Sequence, residues 1–493
     1  MDKGKSSYQP PYDAVSPIKN PAMGWMLYID AFHHIDASHH AAGNSAPLDS
    51  GFPDAGAYWA AQDHSGASEL ANIQYIRVPW AQLEPAKGHY AWEQDANFID
   101  LIEGARKRHL RLAFRVYVDS RDSYRQATPE FVRSAGAGGY EEIWEDAHGH
   151  SHLHWNPAVT DRIFQWHFED FIQSFAARFD DPREVDFIDG QGLGWWGEMH
   201  HIRVETDEEL QSVFRWITAT YATSFKRVLL GAQIGAIPDA LTDWAVHQMG
   251  YVLRRDSFGS PRWLTPRDKE NILTHWPQTA VFAENCYHHL ISRASWWKED
   301  GFLTLRDVLW RVVSDALQLH ANTLDLRGPE DSAAWMLHAG DLVEHFFLSC
   351  GYRFHLSAIR FESVCKRDRT LRIRHSWINH GAGKLPNDTP NWNHKYRITF
   401  ALLHAQSDTC TGKFVVTDVD PADWIGNQEN SYSTETFWHE TKEGIYRLGV
   451  AIMDSSHDST PPIALATILP QTETGWYIIG TVQFTGSPKG ATL

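Results

Sequence analysis

The sequence predicts an α/β protein: a (β/α)8 TIM barrel over residues 1–350, followed by an antiparallel β-sandwich of immunoglobulin-like type over residues 351–493. Two observations carry this. Up to about residue 350, short apolar runs alternate with amphipathic stretches eight times, the rhythm of a parallel barrel wrapped by helices. Beyond Cys350 the helical stretches stop, and strand-like runs follow one another across turn-rich segments. A third observation weakens the competing fold. No Gly-rich phosphate loop follows the first strand, as a doubly wound dinucleotide-binding sheet would require.

The eight barrel strands are expected at Trp25–Ile29, Tyr75–Val78, Leu110–Val118, Val185–Ile188, Arg227–Gln233, Tyr251–Arg254, Thr279–Ala283 and Thr323–Leu326. Two intervening stretches have clear helical periodicity. In Thr160–Phe179, Phe164, Phe168, Phe171, Ile172 and Phe175 share one face; in Leu305–Leu319, Val308, Leu309, Val312 and Leu317 do. Ala37–Gly66, rich in Ala, Gly, Ser and Asp, reads as a long loop after the first strand. The sandwich strands are expected at Thr370–Trp377, Tyr396–His404, Lys413–Thr417, Ile445–Met453, Ile463–Leu469 and Trp476–Phe484, with Asn379–Trp392 as a turn-rich connection.

Composition narrows the partners. A formal net charge of −18 argues against nucleic acid, which needs a basic surface. No apolar run is long enough to span a bilayer. The 22 Trp, 17 Tyr and 24 Phe mostly imply a large aromatic core, but flat rings near strand ends also suit the apolar face of a sugar. The four Cys (Cys286, Cys350, Cys365 and Cys410) lie far apart and suggest neither a disulfide framework nor a zinc site. The segment MDKGKSSYQPPYD has no apolar core. A cytoplasmic protein is expected as the chain stands, and an extracytoplasmic one if a leader has been removed.

The chemistry concentrates at strand ends, where this fold places catalytic groups. The segment VDFIDGQGLGWWGEMHH (Val185–His201) runs from a strand through a Gly-rich turn to Trp195, Trp196 and Glu198. A carboxylate flanked by Trp has its pKa raised by desolvation, which suits a general acid. In TAVFAENCYHH (Thr279–His289), Glu284 ends the seventh strand and Asn285 follows it. Glutamates at strand ends four and seven would face each other across the mouth, as glycoside hydrolysis requires of its two carboxyl groups. Substrate-binding candidates at the other ends are Arg77 and Trp80, Arg115 and Tyr117, Gln233, Asp256 and Arg327, with His200 beside Glu198. Trp276 is a further candidate platform, and Trp377, Trp392 and Trp424 are candidates in the sandwich. Charges inside apolar strands are costly unless paired, so these strand-end charges serve either a substrate or an ion network.

The segment WAQLEPAKGHYAW (Trp80–Trp92) is similar to the stretch after strand two in clan A glycosidase barrels. More closely, the chain resembles bacterial domain-of-unknown-function family 4832 over nearly its whole length. The matching pieces are NPAMGW (Asn20–Trp25), YIRVPWAQLEP (Tyr75–Pro85), ATPEFV (Ala127–Val132), VDFIDGQGLGWWGE (Val185–Glu198), RRDSFG (Arg254–Gly259) and GWYIIGTV (Gly475–Val482). The resemblance implies a glycosidase-like barrel with an appended sandwich, Glu198 as acid/base and Glu284 as nucleophile. In clan A an Asn precedes the acid/base glutamate; here Gly197 does. The carboxyl separation decides between retention and inversion, and sequence leaves it open.

The expected function is therefore a glycoside hydrolase or transglycosidase with a carbohydrate substrate and no cofactor. The first alternative is a non-catalytic carbohydrate-binding barrel. The second is a metal-dependent hydrolase using the His-rich runs, His148, His150, His152 and His154 or His33, His34, His39 and His40. The glycosidase reading expects no metal in the site. A homo-oligomer is left open.

Overall fold

The computed structural model describes residues 5–30, 54–121, 126–145, 151–288, 290–291, 294–366, 369–438, 441–456 and 461–486. The chain forms two compact units, one of Ala22–Phe347 with Thr389–Asn391, the other of Met1–Pro21, Leu348–Asp388 and Trp392–Leu493.

The first unit is a closed eight-stranded barrel. Its strands are β1 (Gly24–Asp30), β2 (Ala71–Pro79), β3 (Arg111–Tyr117), β4 (Val185–Asp189), β5 (Leu229–Gln233), β6 (Val252–Phe258), β7 (Val281–Asn285) and β8 (Ala321–Arg327). All eight overlap the expected runs. They pair in parallel in chain order, and β8 closes onto β1 through Arg327 opposite Tyr28. Each is buried on both faces, which is why each reads as a continuous apolar run rather than an alternation.

The outer helices bury the stripes the periodicity predicts. Helix Arg162–Phe179 starts at Asp161, whose carboxylate accepts the N–H groups of Ile163 and Phe164. Its Phe164, Phe168, Phe171, Ile172, Phe175 and Phe179 are all buried. Helix Leu305–Gln318 opens on a capping box between Thr304 and Asp307. Two features depart from expectation. A hairpin, Gly139–Glu145 with Ser151–Pro157, interrupts the connection after β3. In the expected loop Ala37–Gly66, residues 55–65 form a helix, while residues 37–53 lie outside the described residues.

The second unit contains two sheets. One orders the strands Lys5–Tyr8, Phe354–Glu362, Leu371–Asn379 and Asn430–Thr436; the other orders Val364–Lys366, Tyr477–Thr485, Gly444–Asp454, Tyr396–His404 and Cys410–Val415. All pairings are antiparallel except Val364–Lys366 with Tyr477–Thr485. Across them His375 meets Phe400 with ring centroids 5.3 Å apart. Residues 5–21, assigned to the barrel from sequence, group with this unit instead. Lys5–Tyr8 is a strand of its first sheet, and Asn20 exchanges two hydrogen bonds with the backbone of Ala464. Ile463–Leu469 forms only isolated bridges. Trp377, Trp392 and Trp424, expected as exposed sugar platforms, are fully buried, and Trp377 stacks on Trp424 at 5.0 Å.

Candidate active site

The barrel interior is closed by aromatic rings. Phe187 on β4 and Phe282 on β7 sit with centroids 4.6 Å apart, although these strands are not neighbours, so the rings meet across the lumen. Tyr75 on β2 lies 5.9 Å from Phe187, and Tyr28 on β1 lies 4.7 Å from Tyr75. Side chains along a strand alternate faces, so Asp189 and Glu284, two residues after Phe187 and Phe282, share this inward face one step nearer the mouth.

On that aromatic floor rests a layer of charges. Arg115 divides its three nitrogens among three carboxylates. Its Nε donates to Asp189 (2.8 Å), its Nη1 to Glu198 and its Nη2 to Glu284 (3.0 Å). Glu284 also accepts from Arg254 Nη2 at 2.6 Å and from Arg327 Nη2. Asp189 accepts from the Tyr75 hydroxyl at 2.6 Å and Arg254 Nε at 3.3 Å. Three guanidinium groups therefore face three carboxylates, which balances the charge of a buried cluster. The rings support the cations: Arg327 lies 3.9 Å from the Tyr28 centroid, and Arg254 5.1 Å from that of Tyr75.

Glu198 reaches the cluster from a loop, nine residues past Asp189, because the loop doubles back. Trp195 N–H bonds to the His200 carbonyl (2.9 Å) and Met199 N–H to that of Leu193 (2.8 Å). Arg77 Nε donates to the Trp196 carbonyl at 3.2 Å. The turn is tight enough that Trp196, Met199 and His201 all take positive φ, a strain that persists only under surrounding constraint. Gly197 is the pivot. Its φ is +74°, and a Cβ there would stand 2.9 Å from Tyr117 Cβ. An Asn before the glutamate, as in clan A barrels, does not fit this backbone. Burial pushes the Glu198 carboxyl above its ordinary range, while the Arg115 guanidinium works in the opposite direction.

Other expected residues gather around this pair. His200 Nε2 lies 3.8 Å from Glu198 Oε2, and burial lowers the ring's pKa. Gln233 Nε2 donates to Asp256 at 3.0 Å; Asp256 also pairs with Arg255 and accepts from Ser257. Asn285 is latched to Asp325 through its backbone N–H and its amide (3.1 Å). Burial, opposed by that backbone bond, lifts the Asp325 carboxyl to about 7. Arg77 pairs with Asp30 at 2.7 Å and sits 4.6 Å from the ring centroid of buried Tyr117. Trp195 and Trp196 are half-buried, edge to face at 5.7 Å.

Two expected platforms fall elsewhere. Trp80 is fully buried against Phe168 (5.0 Å) and Phe171 (5.6 Å), and its indole N–H donates to Glu84 at 2.9 Å, so it is core. Trp276 stacks on His320 at 4.2 Å, and both precede strands β7 and β8, at the end away from the glutamates. The sequence reading also missed Asp189, Arg254, Tyr75 and Asp30. For Asp189 the signal was present: an acid closing the apolar run VDFID, two residues after an inward Phe.

Glu198, His200 and Asp256 bring ligand atoms within 4.8 Å of one another. Arg115 and Arg255 already neutralise the two carboxylates, which disfavours a cation there. His152 and His154 belong to no converging ligand group among the described residues; His33, His34, His39, His40, His148 and His150 lie outside them. No helix among the described residues is long and apolar enough to cross a membrane.

No family model matches the chain, so family 4832 is not confirmed, and no curated protein matches it. Among solved structures it is similar to endo-glycoceramidase II from Rhodococcus sp., at 12% identity and TM-score 0.43, covering 85% of this chain and 100% of that one. It is also similar to an endogalactoceramidase at 11% identity and TM-score 0.38, covering 82% of this chain and 96% of that one. An exo-beta-1,4-mannosidase from an Opitutaceae bacterium has 13% identity and TM-score 0.38, covering 62% of this chain and 52% of that one. These neighbours are glycoside hydrolases; scores of this size assign no activity to this chain.

Proposed function

We propose that the protein is a glycoside hydrolase in which Glu198 is the general acid/base and Glu284 the nucleophile. The observation that carries this is the shared Arg115 guanidinium, which holds both carboxylates at the barrel mouth. Adjacent nitrogens of one guanidinium set the two groups close together. That arrangement fits the separation of about 5–5.5 Å of a retaining enzyme better than the wider gap that admits a water. The environments also differ as the roles require. Burial raises Glu198 toward the protonated form a general acid needs. Glu284 instead lies against three guanidinium groups, a cationic setting that suits a nucleophilic carboxylate. Glu198 protonates the leaving oxygen as Glu284 attacks the anomeric carbon and the glycosidic C–O bond breaks; water then attacks that carbon, giving its proton to Glu198 and displacing the Glu284 carboxylate.

Substrate hydroxyls have partners waiting. Gln233 Oε1 and Asn285 Oδ1 are buried and make no hydrogen bond among the described residues. Half-buried Trp195 and Trp196 offer the apolar faces. Replacing Glu198 or Glu284 by Gln is expected to lower kcat on a cleavable oligosaccharide by about 10²–10⁴-fold or more. Proton NMR of the first-formed product is expected to show retained configuration. Full activity in both variants would overturn the assignment, and an inverted product would overturn the retaining mechanism.

One observation favours a second reading, a binding barrel without turnover. Both oxygens of Glu284 are engaged by arginines, so attack requires one guanidinium to yield. Saturable sugar binding with no product, unchanged in Glu284→Gln, would establish it.

A further inference from the structure

The helices that follow β5 and β6 carry a cluster unrelated to the glutamates. Helix Asp239–Met249 presents Asp243 and His247 one turn apart, on one face. Helix Pro266–His275 ends on His275. Ligand atoms of the three side chains all lie within 4.8 Å of one another, and the two imidazoles stack at 5.5 Å with 19° between their planes.

His275 is the informative member. It is 2% exposed, whereas Asp243 and His247 face solvent. Its Nδ1 lies 2.9 Å from the Asn271 carbonyl, an acceptor only, so Nδ1 carries a proton and Nε2 turns toward the cluster. That Nε2 lies 3.0 Å from Asp243 Oδ1, yet it makes no hydrogen bond among the described residues. The pair is within ion-pair distance but lacks hydrogen-bond geometry, which leaves a buried ring nitrogen aimed at the cluster. A backbone carbonyl fixing the tautomer of a histidine whose other nitrogen points into a ligand cluster is the outer-shell arrangement of metal sites.

We propose that Asp243, His247 and His275 bind a divalent transition metal, Zn2+ by the chemistry of the donors. Two imidazoles and one carboxylate suit zinc and disfavour Mg2+ or Ca2+, which take oxygen ligands. Tetrahedral zinc with ligand distances of about 2.0–2.1 Å sets its donors about 3.3 Å apart. The exposed Asp243 and His247 close that gap by rotamer changes around fixed His275, and water completes the coordination. Both helices already share a latch, Asp239 accepting from Arg267 (2.8 Å) and Asn271 (2.9 Å), so the ligands are pre-positioned. His275 ends the helix before β7, and His247 lies two residues from the end of the helix before β6. The site therefore sits at the N-terminal end of the barrel strands, where residues serve stability rather than catalysis. The metal clips two consecutive helices together.

The test is titration of the chelator-treated full-length protein with ZnCl2, compared with His247→Ala and Asp243→Asn. Both substitutions are on the exposed face of a helix and leave the core intact. Wild type is expected to bind one equivalent more than either variant, or to bind that equivalent at least about 100-fold more tightly. Zinc is expected to raise the Tm of wild type and not that of the variants. With Co2+ in place of zinc, wild type alone is expected to show a tetrahedral visible spectrum. Equal stoichiometry and affinity in all three proteins, or no zinc binding by wild type, overturns the proposal. Neither result bears on Glu198 and Glu284.

Discussion

Arg115 serves three carboxylates at once, so its loss has a compound effect. Arg115→Met leaves Asp189, Glu198 and Glu284 short of a partner in a buried cluster, and the expected destabilisation is about 3–5 kcal/mol, read by denaturant unfolding. Arg115 also opposes the burial that raises Glu198. In a folded Arg115 variant the alkaline limb of the pH–rate profile therefore moves to higher pH; in Glu198→Gln it disappears. A limb unmoved in both variants would show that Glu198 is not the group titrating. Glu284, Arg77, Arg115 and Arg327 were legible in the sequence because charge inside an apolar strand is expensive and needs a reason, and Glu198 because a Gly-rich turn and two Trp lead into it. Arg254 was passed over for Asp256 nearby, since the strand register that turns it inward is not encoded in the motif itself. Trp80 misled for the opposite reason. Its motif resembles a sugar-site segment, but the ring is claimed by the Phe face of the adjoining helix.

At the scale of the element, that misassignment becomes testable. Trp80→Ala empties a packed site and is expected to cost about 3–5 kcal/mol of stability, with KM on a sugar substrate unchanged. The Glu198 loop makes a complementary prediction. Gly197→Ala imposes a side chain on positive φ against Tyr117, so kcat is expected to fall while the fold survives, as circular dichroism would show. In the sheet unit, His375 is held neutral. Its Nδ1 accepts from the Trp377 indole (2.8 Å), its Nε2 lies 3.0 Å from the Thr434 hydroxyl, and burial pulls its pKa down to about 4. The unfolded ring, near its ordinary value of about 6.5, takes up a proton first. The stabilisation is complete above pH ~6.5 and is lost as pH falls toward 4. His375→Gln is expected to flatten that slope in thermal scans. Strand positions were legible because buried parallel strands read as unbroken apolar runs. The strand pair Gly139–Glu145 with Ser151–Pro157 was not, because its strands, one rich in Glu and the other holding two His, carry no such run.

For the whole molecule, chain order and spatial grouping diverge. Residues 5–21 group with the sheets, with Lys5–Tyr8 paired to Phe354–Glu362 and the Pro21 carbonyl accepting from the Tyr352 hydroxyl at 2.8 Å. No local pattern announces a partner more than 300 residues away, which is why the sequence reading gave this segment to the barrel. Deleting residues 1–20 is expected to lower the unfolding temperature of the sheet unit specifically, seen by calorimetry as displacement of one transition. The barrel, for its part, is stoppered. Tyr28, Tyr75, Phe187 and Phe282 fill the lumen beneath the charged layer. Among the described residues, the rings therefore close the charged layer off from the N-terminal ends of the strands. On the proposed glycosidase reading, a sugar bound at the mouth would itself exclude solvent from the glutamates and so act as its own lid.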